Sequence, residues 1–167
     1  MVYTFLKNNI RDAYQEKQYE QCNQHLTNLY KIILIDKKID WLTRDEIICY
    51  YYYYKVKILI DLNNLTNALT LCLKTFKYFT IDERDQYNSE YKLMLDLLGG
   101  IYEKLGKEKQ AIKVYSYLLD LSNERDYEKI FGKINNLRKN SNIITFNNKQ
   151  KKYNSNKESN CNFCCYF

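Results

Sequence analysis

The stretch LDLLGGIYEKLGKEKQAIKVYSYLLDLSN, residues 95–123, constrains the fold of this chain more than any other. Leu95, Leu98, Gly99, Tyr102 and Leu105 recur at helical spacing. Gly106 interrupts them, and Ala111, Ile112, Tyr115, Leu118 and Leu119 then resume the same period. The pattern predicts two helices joined by a tight turn. Gly106 suits the left-handed residue that closes a helix. Gly99 and Ala111 are small where two helices must approach closely. The chain contains no proline, where usage of about 5% is typical. Its helices can therefore run long, and Gly or Asn must stop them.

The spacing of Leu95, Leu98, Gly99, Tyr102, Gly106, Ala111, Tyr115 and Leu118 resembles one tetratricopeptide repeat. Ser122 or Asn123 stands where that repeat usually closes with proline. The resemblance implies antiparallel helical hairpins stacked into a short right-handed solenoid, and a protein-binding task. A degenerate copy places Ala13, Tyr19, Cys22, Leu26 and Leu29 in the same positions, and Ala68 matches the packing alanine of another. The anchors Cys22, Ala68 and Ala111 are 46 and 43 residues apart, longer than the 34 of the common repeat. Long helices and connectors hold the extra length.

The periodicity predicts an all-α chain of about seven helices over residues 1–140, followed by a disordered basic tail at 141–167. The helices fall at about 2–17, 19–35, 43–62, 65–78, 83–105, 107–121 and 123–138. Val2, Phe5, Leu6, Ile10, Ala13 and Tyr14 are expected to form one apolar stripe. The break at 16–18 contains no Gly or Pro. Thr43 with Glu46, and Thr80 with Glu83, are capping-box patterns, in which a hydroxyl accepts an orphan N–H and a carboxylate reaches back. Asn63 and Asn64 should end the third helix, because Asn tolerates the left-handed turn. Leu121, Tyr127, Ile130, Phe131, Ile134 and Leu137 would cover the last hairpin, as a terminal cap must.

Charge separates the body from the tail. Residues 133–157 carry seven Lys or Arg and no acid, whereas residues 1–132 balance 19 bases against 19 acids. The body is therefore no nucleic-acid binder on charge grounds. No apolar run approaches the roughly 18 residues that span a bilayer, and the N-terminus lacks a signal-peptide pattern. The expectation is a cytoplasmic protein with reduced thiols, in which Cys22, Cys49 and Cys72 serve as small core residues.

Candidate chemistry is sparse. His25 is the sole histidine. A nucleophilic pair would need Cys22, one turn away at a core position, with nothing to orient the imidazole. No phosphate loop is present, and Gly99-Gly100 reads as a packing pair. Asp82, Glu83 and Asp85 fall in a connector and a first helical turn, where a helix dipole favours them. No catalytic residue, cofactor or metal site is expected. Cys161-x-x-Cys164 lacks further zinc ligands nearby. Cys164 stands fourth from the end, as a prenyl acceptor must, and the upstream lysines would supply the second membrane signal. Tyr166 occupies a place that is usually aliphatic. Membrane association is expected only if that tail is lipidated.

The run of tyrosines from Tyr50 to Tyr54 cannot share one helical face, because residues step by about 100°. Tyr51 and Tyr52 fit the core stripe; Tyr50 and Tyr53 point elsewhere. AT-rich codon usage is the plainer source of so many tyrosines. In the tetratricopeptide family the first helix of each hairpin lines a concave groove. The resemblance places Lys7, Arg11, Tyr50, Tyr53, Lys57, Asp96 and Glu103 there. The clamp with which some members hold a chaperone's terminal carboxylate does not map onto these positions. The expected function is a non-catalytic scaffold or adaptor that binds a protein segment in a helical groove, within a larger complex. The long irregular repeats also resemble the tetratricopeptide subunit of the TRAPP vesicle-tethering complex, which would imply vesicle trafficking. A lipid-anchored adaptor using the C-terminal cysteines is the third reading.

Overall fold

One turn is built three times among the described residues. Lys17, Asn63 and Gly106 take φ of +59°, +57° and +67°. The residue after each donates its N–H five residues back, Gln18 to Ala13, Asn64 to Leu59 and Lys107 to Tyr102, each at 2.8 Å. The left-handed residue itself bonds three back, to Tyr14, Ile60 and Glu103, at 3.0, 3.0 and 2.9 Å. These paired bonds satisfy helix-end carbonyls in the Schellman arrangement. The carbonyls of Gln18, Asn64 and Lys107 then accept the N–H of Cys22, Ala68 and Ala111, so the next helix starts at once. No side chain caps any of the three starts.

The structure, a computed structural model, describes residues 2–36, 38–39, 41–76 and 89–140. Their elements are seven helices and no strand: α1 (Val2–Gln15), α2 (Tyr19–Ile35), α3 (Trp41–Asp61), α4 (Leu65–Thr75), α5 (Ser89–Lys104), α6 (Glu108–Asp120) and α7 (Glu124–Asn140). Each helix packs on the next in sequence, and α3 also packs on α5. The architecture is all-α and repeat-like.

The repeating turn sets a common register. The residue five beyond it is Cys22, Ala68 or Ala111, each fully buried. Seven before and nine beyond it stand Ile10 and Leu26, Val56 and Cys72, and Gly99 and Tyr115. Both members of each pair are buried, and their bulk is divided differently in each hairpin.

Helix α3 is walled on both sides. Ile47, Tyr54 and Ile58 join a cluster with Ile10, Cys22, Leu26 and Leu29. Val56 joins a second cluster with Ala68, Met94, Leu98, Ala111, Tyr115 and Ile134. Residues 52, 54, 56 and 58 are all buried. Steps of two residues turn a helix by about 200°, which serves opposite flanks. The tyrosine run therefore sorts otherwise than one apolar stripe predicts: Tyr52 and Tyr54 are buried, while Tyr51 is half-buried.

Other expectations shift for physical reasons. Helix α3 begins at Trp41, so Thr43 lies inside it and the carboxylate of Glu46 goes to Lys7 instead of a helix start. Phe5 is 65% exposed. It stands five residues before the buried Ile10, about 140° around the helix, on a flank that α2 does not cover. Tyr127 is 37% exposed and stacks on Phe131, 5.7 Å between centroids, beside the buried stripe of Leu121, Ile130, Ile134 and Leu137. Helix α4 ends at Thr75. The Thr80–Glu83 capping box, Asp85, the first residues expected of the fifth helix, and the tail with Cys161 and Cys164 lie outside the described residues.

Candidate partner-binding face

The sequence-predicted groove residues belong to α1, α3 and α5, and the structure links them across those helices. The Lys7 ammonium pairs with Glu46 on α3 and lies 5.3 Å from the ring centroid of Tyr50. The Tyr50 hydroxyl donates to the Lys7 carbonyl at 2.8 Å, fastening the middle of α1 to α3. Burial pushes the Tyr50 phenol well above its usual range. Arg11 is exposed and pairs with its neighbour Asp12 at 3.3 Å, and its charge acts on both Tyr50 and Tyr54.

Lys57 occupies an aromatic enclosure. Its ammonium lies 4.2 Å from the ring centroid of Tyr14, 5.2 Å from Tyr53 and 5.5 Å from Tyr54. Helical spacing produces the enclosure. Tyr53 and Lys57 are one turn apart on α3, and Tyr14 arrives from α1. Cation–π attraction strengthens as water is excluded, while burial lowers the lysine pKa and Asp61 opposes that shift. Asp61 also accepts the hydroxyls of Tyr14 and Tyr19, the latter at 3.2 Å. Two strands of interaction thus hold α1 against the end of α3.

On α5, Asp96 and Glu103 stand two turns apart. The Asp96 carboxylate is held by Lys133 of α7, whose ammonium lies 4.8 Å from the Tyr115 ring centroid. Burial raises the Tyr115 phenol, and the carboxylates of Glu103 and Asp96 raise it further. Asp96 also acts on Tyr53, and Tyr53 packs against both core clusters. Of the seven, Lys7 and Tyr50 are joined directly, Arg11 acts on Tyr50 and Asp96 on Tyr53 through charge, and Glu103 acts on the buried Tyr115. Spacing alone did not identify Lys133, because its role depends on how α7 returns against α5. Tyr14, needed to enclose Lys57, reads in sequence as an ordinary core residue, and the place of Tyr54 is not marked there.

The Cys22 thiol points into the core and donates to the Ile10 carbonyl at 3.5 Å, away from any pairing with the half-buried His25. Burial raises the Cys22 pKa. Among the described residues no cluster of three His, Cys, Asp or Glu could hold a metal ion, and no helix is long and apolar enough to cross a membrane.

Comparison with protein-family models, with curated proteins and with solved structures finds no match.

Proposed function

We propose that this chain is a non-catalytic adaptor built of tetratricopeptide-like hairpins stacked as a short right-handed solenoid. A partner segment lies along the face formed by α1, α3 and α5. The observation that carries the reading is the threefold turn with its buried small anchor, recurring after 46 and 43 residues. Such recurrence aligns the odd-numbered helices side by side and leaves one face of each for recognition. That face carries tyrosines, which supply contact area at little entropic loss, between a basic and an acidic end. A segment running from α1 to α5 would meet Arg11 with a carboxylate and Glu103 with an ammonium.

The test uses exposed residues, so that loss of binding is not loss of fold. Tagged wild-type protein, an Arg11→Glu/Glu103→Lys double variant and a Lys109→Glu control on α6 are purified from cells, and their companions are quantified by mass spectrometry. A partner set lost from the double variant and kept by the control is expected. A set that all three retain rejects the face. Companions dominated by vesicle-tethering subunits would turn the adaptor reading towards trafficking.

A further inference from the structure

The Lys57 ammonium differs from three others that meet tyrosine rings. Lys7, Lys55 and Lys133 lie over Tyr50, Tyr51 and Tyr115, and each also spends an N–H on an oxygen: of Glu46, of Asn23 at 2.7 Å, and of Asp96. Lys57 faces Tyr14, Tyr53 and Tyr54 together, and its ammonium donates no hydrogen bond and makes no ion pair among the described residues. Asp61 acts on it only through longer-range charge. The rings themselves are fixed. Tyr54 meets Tyr14 and Tyr53 edge-on, with centroids 5.4 and 5.3 Å apart, and the Tyr14 hydroxyl is held by Asp61.

A methyl carbon stands about 1.5 Å from its nitrogen and touches a ring carbon at about 3.5–4.0 Å, so a methylated nitrogen rests about 5 Å from a ring face. Tyr53 and Tyr54 lie at 5.2 and 5.5 Å, too far for an N–H to touch and spaced for a methyl group between. Tyr14, at 4.2 Å, suits a remaining N–H. Methylation of the nitrogen keeps its positive charge, so the attraction to the rings survives. It also removes donors, which is costly where they are bonded to protein, as at Lys55, and breaks no protein hydrogen bond at Lys57.

We infer that Lys57 is a site of Nζ-methylation, with two methyl groups turned to Tyr53 and Tyr54. Lys57 is half-buried and its nitrogen is not sealed from solvent, so the amine keeps a path to a transferring enzyme. In each transfer the neutral amine attacks the methyl carbon of a sulfonium donor. The C–N bond forms as the C–S bond breaks, sulfur leaves as a neutral thioether, and one amine proton goes to water. Burial lowers the lysine pKa, against the pull of Asp61, and so favours the nucleophilic amine. Once methylated, Lys57 ties α1 through Tyr14 more closely to α3. The site goes beyond the adaptor reading and does not depend on it.

Two measurements on the full chain test the site. Peptide mass spectrometry of the protein purified from the cells that make it should find Lys57 methylated, chiefly dimethylated. A free amine or an acyl group there overturns the inference. Separately, unmodified recombinant protein is treated with isotope-labelled formaldehyde and a borane reductant, which dimethylates accessible lysines without an enzyme. Protons over an aromatic face are shielded, so the Lys57 methyl resonances should lie upfield of those from the other lysines. Lys57→Arg assigns them by their loss. Tyr53→Leu should return them most of the way to the common position with helical circular dichroism unchanged, and Tyr14→Leu serves if that variant does not fold. Lys57 methyl resonances at the common position, a displacement that survives loss of a ring, or a Lys57 that the reagent cannot reach overturns the enclosure as a methylammonium site.

Discussion

A methyl group on Gly99 would lie 2.4 Å from Cε1 of Tyr115, with two more ring carbons within 2.9 Å. The ring is 1% exposed and has no free direction in which to retreat. Gly99→Ala gains about 1 kcal/mol of helix propensity but overpacks a closed core, at about 1–3 kcal/mol. With three ring atoms in the way the clash wins, and we expect net destabilisation of up to about 2 kcal/mol in urea unfolding. Combining it with Tyr115→Leu should be clearly non-additive, because the leucine vacates the space that the new methyl needs.

The three left-handed turns respond differently to glycine. Lys17 holds φ of +59° with a full side chain, a conformation that disfavours most residues by about 1–2 kcal/mol. Lys17→Gly should therefore stabilise by about 1 kcal/mol, and Asn63→Gly by less, since Asn tolerates this region. Gly106→Ala should destabilise by about 1 kcal/mol through the backbone alone, because nothing lies within 4 Å of the added atom. Denaturant midpoints of the three variants check the ranking; equal effects at Lys17 and Asn63 would contradict it.

Alkaline pH should unfold the chain cooperatively. Burial raises the phenols of Tyr14, Tyr50, Tyr53, Tyr54 and Tyr115 above their ordinary value of 10.0. A raised folded pKa contributes stability that is complete below the unfolded value and is lost as pH climbs through the folded one. Lys55 and Lys57 are shifted down from 10.5 and act in the opposite sense, but the phenols outnumber them. Stability should fall above about pH 10. Tyrosinate absorbance from these rings should rise together with the loss of helical circular dichroism, and a smooth titration preceding unfolding would show them open to solvent.

The core thiols should be inert while the chain is folded. Cys22, Cys49 and Cys72 are free and buried, and burial pushes Cys49 up to about 12. Thiolate is the reactive form. With Cys161, Cys164 and Cys165 replaced by Ser, a maleimide at neutral pH should label almost nothing until denaturant is added, and then three sites per chain. Native labelling within minutes would show that the helices part.

Asp96 and Lys133 join α5 to α7 with side chains 39% and 30% exposed. Solvent screens such a pair, so a double-mutant cycle with Asp96→Asn and Lys133→Met should give coupling of only about 0.5–1 kcal/mol. Hydrogen exchange should accelerate chiefly in α7. A larger coupling spread over every helix would mean that α7 is integral to a single cooperative unit.

Local chemistry was legible where it had a single cause. Gly106 marked its turn, Asn63 ended α3, and helical spacing identified Ala68, Ala111 and Cys22 as buried anchors. The turn at Lys17 carries no such mark, because the helix ends through a backbone bond pattern that any residue can adopt with some strain. Phe5 was assigned to the wrong surroundings, and the burial of Tyr54 went unread, for one reason. A stripe shows which residues are apolar, not how many neighbours a helix will have. Helix α1 has too few to cover Phe5, and α3 has enough to bury both its flanks. The contacts of Lys57 and Lys133 depend on rings and carboxylates brought from other helices, which no spacing within one segment reveals.

The paired positions seven before and nine beyond each turn bear on how this chain can be recombined. Glycine faces tyrosine in the third hairpin, whereas valine and cysteine, both buried in one cluster, hold the corresponding positions in the second. A chimera carrying the first helix of the second hairpin and the second helix of the third would drive Val56 into Tyr115. The reciprocal exchange would leave Gly99 opposite Cys72 and open a hole. Shuffling must therefore move whole hairpins, since the fit resides in the couple and neither half is portable.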